Sequence, residues 1–228
     1  MAINKFYFQL GDEKYPVKER SDFLFETYYI TEYVSKLVKK EKLAYEKANK
    51  VLIYLEEDKS GIDYSEMFKS VCVNIKDEYL PPSVHNQSER VDWVLGKLRK
   101  AGELLNKSIP KISASIESSL KLFEGDSYRN IWNFHSRTIK PLGKIQLECE
   151  LNKDNFILNF VVLDKGRELY RKEILKELPD SLCYHHKFNK LKVENDVISV
   201  PDRANYSPST LFSISINDLI REIGEKST

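Results

Sequence analysis

The residues of this chain best suited to chemistry lie in its second half. In Tyr128-Arg129-Asn130-Ile131-Trp132-Asn133-Phe134-His135-Ser136, five residues separate an arginine from a histidine. A guanidinium can hold the charge that builds on a phosphoryl centre under attack, and an imidazole can move a proton at neutral pH. Cys183-Tyr184-His185-His186 gathers three metal-ligand residues within four positions. Adjacent histidines on an extended segment point to opposite sides, and no C-x2-C pair stands nearby, so the spacing argues against zinc. Cys183 is expected to pack, with His185 and His186 on a surface turn after Pro179-Asp180. No metal or cofactor is expected. Glu148 and Glu150 share one side of an alternating segment and read as solvated carboxylates on the outer face of a sheet.

The arrangement of Arg129 and His135 resembles the Arg-x(4–6)-His motif of HEPN-type ribonucleases, over about ten residues. That family carries the motif on a helix of an all-α bundle and cuts RNA without metal in bacterial toxin–antitoxin and antiphage systems. The resemblance implies His135 as general acid/base toward a ribose 2′-hydroxyl, Arg129 as stabiliser of the phosphorane, and Asn130 as the polar residue after the arginine. The chain departs from the family at Pro141, where a strand-like period begins instead of more helix. In the competing reading, Trp132 and Phe134 enter a core and Arg129 and His135 lie at its rim.

Two further features suit binding. Eight of the 13 tyrosines (Tyr7, Tyr15, Tyr28, Tyr29, Tyr33, Tyr45, Tyr54, Tyr64) fall in the first 64 residues. Tyrosine offers a large contact area with a polar tip, so Tyr28, Tyr29 and Tyr33, which widen the apolar stripe of one helix, are candidate contacts for a protein. Ordinary packing in a Leu-poor core is the alternative. Lys97, Lys100 and Lys107 form the basic side of an amphipathic helix. From Lys97 to Lys144 there are ten Lys or Arg against four acids, a local surplus that an acidic protein or an RNA could use.

The elements that must position these residues follow from periodicity. Ile3 to Leu10 reads as a strand ending at the turn Gly11-Asp12. A helix capped by Ser21 carries Phe23, Thr27, Ile30, Val34 and Leu37. Residues 41–55 continue at helical spacing, although V-L-I-Y-L also fits a strand. Asp63-Tyr64-Ser65-Glu66 resembles a capping box for a helix with Met67, Val71, Ile75 and Tyr79 inward. A helix from Ser88 and another through Ile112, Ile116, Leu120 and Phe123 come next. After Gly143 the period falls to two, giving a hairpin through Asn152-Lys153-Asp154-Asn155. Residues 167–178 read as strand passing into helix. A second hairpin turns at Asn195-Asp196, a loop spans Pro201 to Thr210, and Asn217-Asp218 caps a last helix that stops at Gly224.

The sum is an α+β chain: a mainly helical part over 1–142, then an antiparallel part over 143–228 with a short C-terminal helix. The 36 Lys and Arg against 35 Asp and Glu exclude a protein that binds polyanions with its whole surface. Three scattered cysteines (Cys72, Cys149, Cys183), no signal-like start and no long apolar run point to the cytoplasm and away from membranes. There is no G-x-G-x-x-G, G-x(4)-G-K-[ST], H-E-x-x-H or G-x-S-x-G. The expectation is therefore a non-catalytic protein that binds another protein stoichiometrically, as bacterial immunity proteins, antitoxins and accessory subunits of defence complexes do. An endoribonuclease using Arg129 and His135 is the alternative.

Overall fold

The computed structural model describes residues 1–11, 14–45, 48–203 and 209–226. Asp12 of the first expected turn and residues 204–208 of the late loop lie outside them. Both helices and antiparallel sheet are present, and the chain divides into two compact units, Met1–Tyr128 and Arg129–Thr228. The boundary thus falls ahead of the segment that carries Arg129 and His135.

The first unit contains more sheet than its periodicity suggests. Strands β1 (Lys5–Leu10), β2 (Lys50–Glu56), β3 (Gly61–Ser65) and β4 (Ser70–Lys76) form one sheet in the order β1-β2-β4-β3. β1, β2 and β4 run parallel, and β3 pairs antiparallel with β4 at the edge. Helix α1 (Val17–Glu41) crosses over between β1 and β2, while α2 (Gln87–Asn106) and α3 (Pro110–Gly125) follow the sheet. A short 3-10 turn at Pro82–Val84 stands where Pro81-Pro82 interrupts the chain.

Several expected helices are corrected here. Residues 50–56 are strand, because a short run apolar on both sides suits the interior of a parallel sheet. The expected helix over 63–79 is the hairpin of β3 and β4. Ser65 Oγ does accept a hydrogen bond from the Phe68 N–H at 3.4 Å, as a helix cap would. The chain turns back instead, with Lys69 at φ 48° and its N–H on Glu66 O. Met67 is left 85% exposed. Helix α1 begins after Pro16 rather than at Ser21, with Pro16 as its N-cap and the Pro16 carbonyl accepting from the Arg20 N–H at 3.1 Å. The helix expected from Ser88 is α2, opened by a reciprocal Asn86/Glu89 capping box.

Helix α3 ends in a Schellman motif: Tyr128 N–H donates to Phe123 O at 2.9 Å, Ser127 N–H donates to Glu124 O, and Ser127 has φ 55°. The rings of Tyr128 and Phe123 meet at 5.8 Å, the apolar contact that accompanies such an ending.

The second unit is a meander, β5 (Asn130–Ile139), β6 (Gly143–Leu151), β7 (Phe156–Asp164) and β8 (Arg167–Glu177), with all neighbours antiparallel. Residues 167–177 stay in strand throughout, and the helix that follows is only α4 (Ser181–Tyr184). β9 (Lys192–Glu194), β10 (Val197–Pro201) and β11 (Thr210–Ser215) form a second sheet. Asn195 and Asp196 both have positive φ, as a two-residue hairpin of matching twist requires. Helix α5 (Ile216–Lys226) is capped by Ser215 Oγ, which accepts the Asp218 N–H at 3.0 Å, so the cap precedes Asn217-Asp218 and the helix runs through Gly224.

Candidate functional site

The placement of Arg129 and His135 separates them. Asn130 to Ile139 is strand, so the helix the ribonuclease motif needs is absent, and six residues of extended chain span about 20 Å. One phosphoryl group cannot touch both side chains. Arg129 is exposed, Asn130 is buried, and His135 sits at a bulge of β5 opposite Leu147. His135 Nδ1 is buried without a partner. Its pKa lies below the usual 6.5, first through burial and then through the charges of Lys190 and Arg137. Trp132 and Phe134 enter an aromatic group with Phe156, Phe188 and Tyr184, in which Tyr184 stacks on Phe156 at 3.7 Å.

Tyr184 accounts for the Cys183-Tyr184-His185-His186 segment. Its ring is 1% exposed, while His185 and His186 are exposed and Cys183 is half-buried. Among the described residues no three His, Cys, Asp or Glu side chains are grouped to hold a metal ion. Glu148 accepts from Arg171 Nη1 at 2.8 Å, so it belongs to an ion pair on the sheet and does not join Glu150 in a site.

Tyr28 and Tyr29 are core residues, at 6% and 8% exposure, and little of their ring area is left for a partner. Burial, followed by the charge of Glu26, pushes the Tyr29 phenol up to about 12. Tyr33 is half-buried against Phe123 and donates its hydroxyl to Asp126 at 2.6 Å. Tyr28, Tyr29 and Tyr33 thus all pack within the unit, Tyr33 with part of its surface exposed. Lys97 and Lys100 both pair with Asp77 just beyond β4, Lys100 at 3.7 Å, and Lys97 also lies over the Trp93 ring. Burial raises the Asp77 pKa, but the Lys97 hydrogen bond and charge outweigh it and hold the carboxyl below its usual range. Lys107 alone of the three stands exposed at the end of α2, while Arg99, Lys121, Glu117 and Glu124 are paired among themselves between α2 and α3.

A surface that periodicity did not reveal lies on the sheet of the first unit. One face presents three cross-strand rows: Phe6/Val51/Val71, Phe8/Ile53/Val73 and Leu10/Leu55/Ile75, all buried. All three helices pack there. Phe6 and Ile53 share a small cleft with Thr31 and Val34 of α1, Leu98 of α2 and Ile116 of α3. The opposite face presents Lys5/Lys50/Ser70, Tyr7/Leu52/Cys72 and Gln9/Tyr54/Asn74, with no described helix of the unit upon it. Tyr7, Tyr54 and Cys72 are half-buried, and Leu52 is 9% exposed beneath them. Toward β3, Asn74 Nδ2 donates to Asp63 Oδ2 at 3.1 Å, and Lys59 pairs with the same carboxylate.

Compared with protein families, curated proteins and solved structures, the chain matches none. No helix among the described residues is long and apolar enough to cross a membrane.

Proposed function

We propose that the protein acts by binding another protein stoichiometrically, in the manner of an immunity protein, an antitoxin or an accessory subunit of a bacterial defence complex, and that it works in the cytoplasm. The contact is placed on the helix-free face of the first sheet. The observation that supports this reading is the chemistry of that face. Parallel strands ordinarily carry a layer on both sides. Here the second side offers Tyr7, Leu52, Tyr54 and Cys72 in adjacent rows, a centre of aromatic and apolar groups. Half-buried Lys50 and Gln9 flank that centre, and buried Asn74 stands beside it against Asp63, which resembles the apolar middle and polar border of a protein interface.

The test uses the full chain with Cys183→Ser, which leaves Cys72 as the one half-buried thiol beside buried Cys149. A partner captured from the source organism should form a complex of fixed stoichiometry, slow alkylation of Cys72, and be lost when Tyr7 and Tyr54 are both changed to serine. A partner that binds the double variant equally well, and leaves Cys72 as reactive as before, removes this face from consideration.

A further inference from the structure

A second feature of the first unit shares only Gln9 with that face and does not rest on the protein-binding reading. Between the free edge of β1 and the first turns of α1 there is a cavity of about 280 Å³ lined by Gln9, Leu10, Val17, Arg20, Ser21 and Leu24. We infer that it binds a small oxyanion, a phosphate or carboxylate carried on a short apolar body.

The argument begins with Arg20. The two other arginines of this unit are neutralised within it: Arg90 by a two-pronged contact with Glu26, and Arg99 by Glu124 and Glu117. Arg20 is half-buried, stands beside Glu19 and Asp22 in the chain, and pairs with neither. Its Nε is buried with no hydrogen-bond partner, and its guanidinium makes no ion pair among the described residues. A partly desolvated cation without a counter-charge is costly, and a guanidinium fork fits the two oxygens of a carboxylate or phosphate.

The rest of the lining suits the same ligand. The amide of Gln9 and the hydroxyl of Ser21 can both donate. Gly11 N–H donates to Leu55 O at 3.2 Å, so strand alternation turns the N–H of Leu10 toward the unpaired edge of β1, on the cavity side. Leu10, Val17 and Leu24 supply an apolar wall, and no carboxylate is among the described lining residues. Donors on one side and aliphatic groups on the other select an anion with a small hydrocarbon portion. The volume lies at the lower end for small-molecule sites, which excludes a dinucleotide.

The experiment is an amide-resolved NMR titration of the full chain with inorganic phosphate and, separately, with butyrate. Saturable shifts are expected at Leu10, Val17, Ser21 and Leu24, larger overall affinity in one arm identifying the preferred oxyanion. Arg20→Gln should weaken binding at least about tenfold, and Lys18→Gln, exposed on the same helical turn, should leave it intact. Ser21→Ala, at an exposed position, should weaken it severalfold and serves as the arm if Arg20→Gln fails to fold. Non-saturating shifts scattered over surface lysines, or unchanged affinity in the folded variants, would overturn the inference.

Discussion

Among the described residues, the two main sheets of this protein each have one face that carries no helix or sheet of their own unit, and those two faces are built differently. In the second unit the ring contacts between the meander and the described elements that follow it gather on one side: Phe160 with Phe212, Phe156 with Tyr184 and Phe188, and Phe134 with Phe188. The other side is a hydrogen-bonded polar ladder. Asn133 donates to Gln146 at 3.3 Å, Gln146 to Glu148 at 3.4 Å, and Arg171 bridges Glu148 and Glu168 at 2.8 Å each. Val161, paired in register with both Gln146 and Arg171, is buried in spite of lying on that side. Gln146 and Asn159 on that side are buried as well, at 9% and 6% exposure, while Arg171 and Glu168 reach water. The corresponding face of the first unit has Tyr7, Leu52, Tyr54 and Cys72 in its centre. A polar, hydrogen-bonded face and an aromatic face can thus be told apart within one chain, and the contrast supports assigning the aromatic one to a partner.

The comparison can be broken at several points. The largest effect is expected on the covered side of the meander. Phe156→Ala should lower the unfolding free energy by about 3–5 kcal/mol, because it removes a fully buried ring stacked on Tyr184; denaturant unfolding measures it. A loss below about 1 kcal/mol would mean that this side is not the core. Gly143→Ala should cost about 1–3 kcal/mol in the same assay. Gly143 has φ 92°, and an added Cβ would meet Leu163 O at 2.5 Å. Arg171→Ala, on the polar ladder, should cost no more than about 1 kcal/mol, since its partners remain in contact with water. A larger loss would show that the ladder holds the sheet together rather than finishing it.

The smallest effect is a slope with pH. His135 takes up a proton less readily in the folded chain than its ordinary 6.5, through burial and then through Lys190 and Arg137. The unfolded chain therefore binds more protons as pH falls through about that value. The stabilisation is present above it and is lost as pH falls toward the folded value. His135→Asn should flatten the change of stability between about pH 5 and pH 7; an unchanged slope would assign it to other groups.

Much of this organisation was legible in the sequence, and the errors have common causes. Helices α2 and α3 and the β6–β7 hairpin follow from clear periods of nearly four and of two. The Asn195-Asp196 turn was readable because both residues tolerate positive φ. The sheet of the first unit was hidden because β2 is apolar on both sides, so its pattern has no alternation, because Met67, Val71, Ile75 and Tyr79 fit helical spacing although β4 alternates, and because Ser65 makes the same local hydrogen bond in a turn that it would make in a cap. Without β2 and β4 as strands, Tyr7, Leu52, Tyr54 and Cys72 could not be seen to share a face. The tyrosine excess pointed to Tyr28, Tyr29 and Tyr33 on α1, of which the first two are buried, whereas Tyr7 and Tyr54 of the same unit lie on the helix-free sheet face. Arg129 and His135 were close in number, yet strand geometry sets them far apart.

The bulge at Phe134 also bears on how the protein behaves at high concentration. β5 is a ten-residue strand at the end of its sheet, and a long regular edge of that kind can recruit the same edge of another molecule into continuous pairing. The extra residue interrupts the ladder midway, and exposed Arg137 brings like charge against like whenever two copies approach edge to edge. Deleting one residue there, with a neutral side chain at 137, would restore an even edge, and the cost would appear as aggregation during expression rather than as lost folding stability.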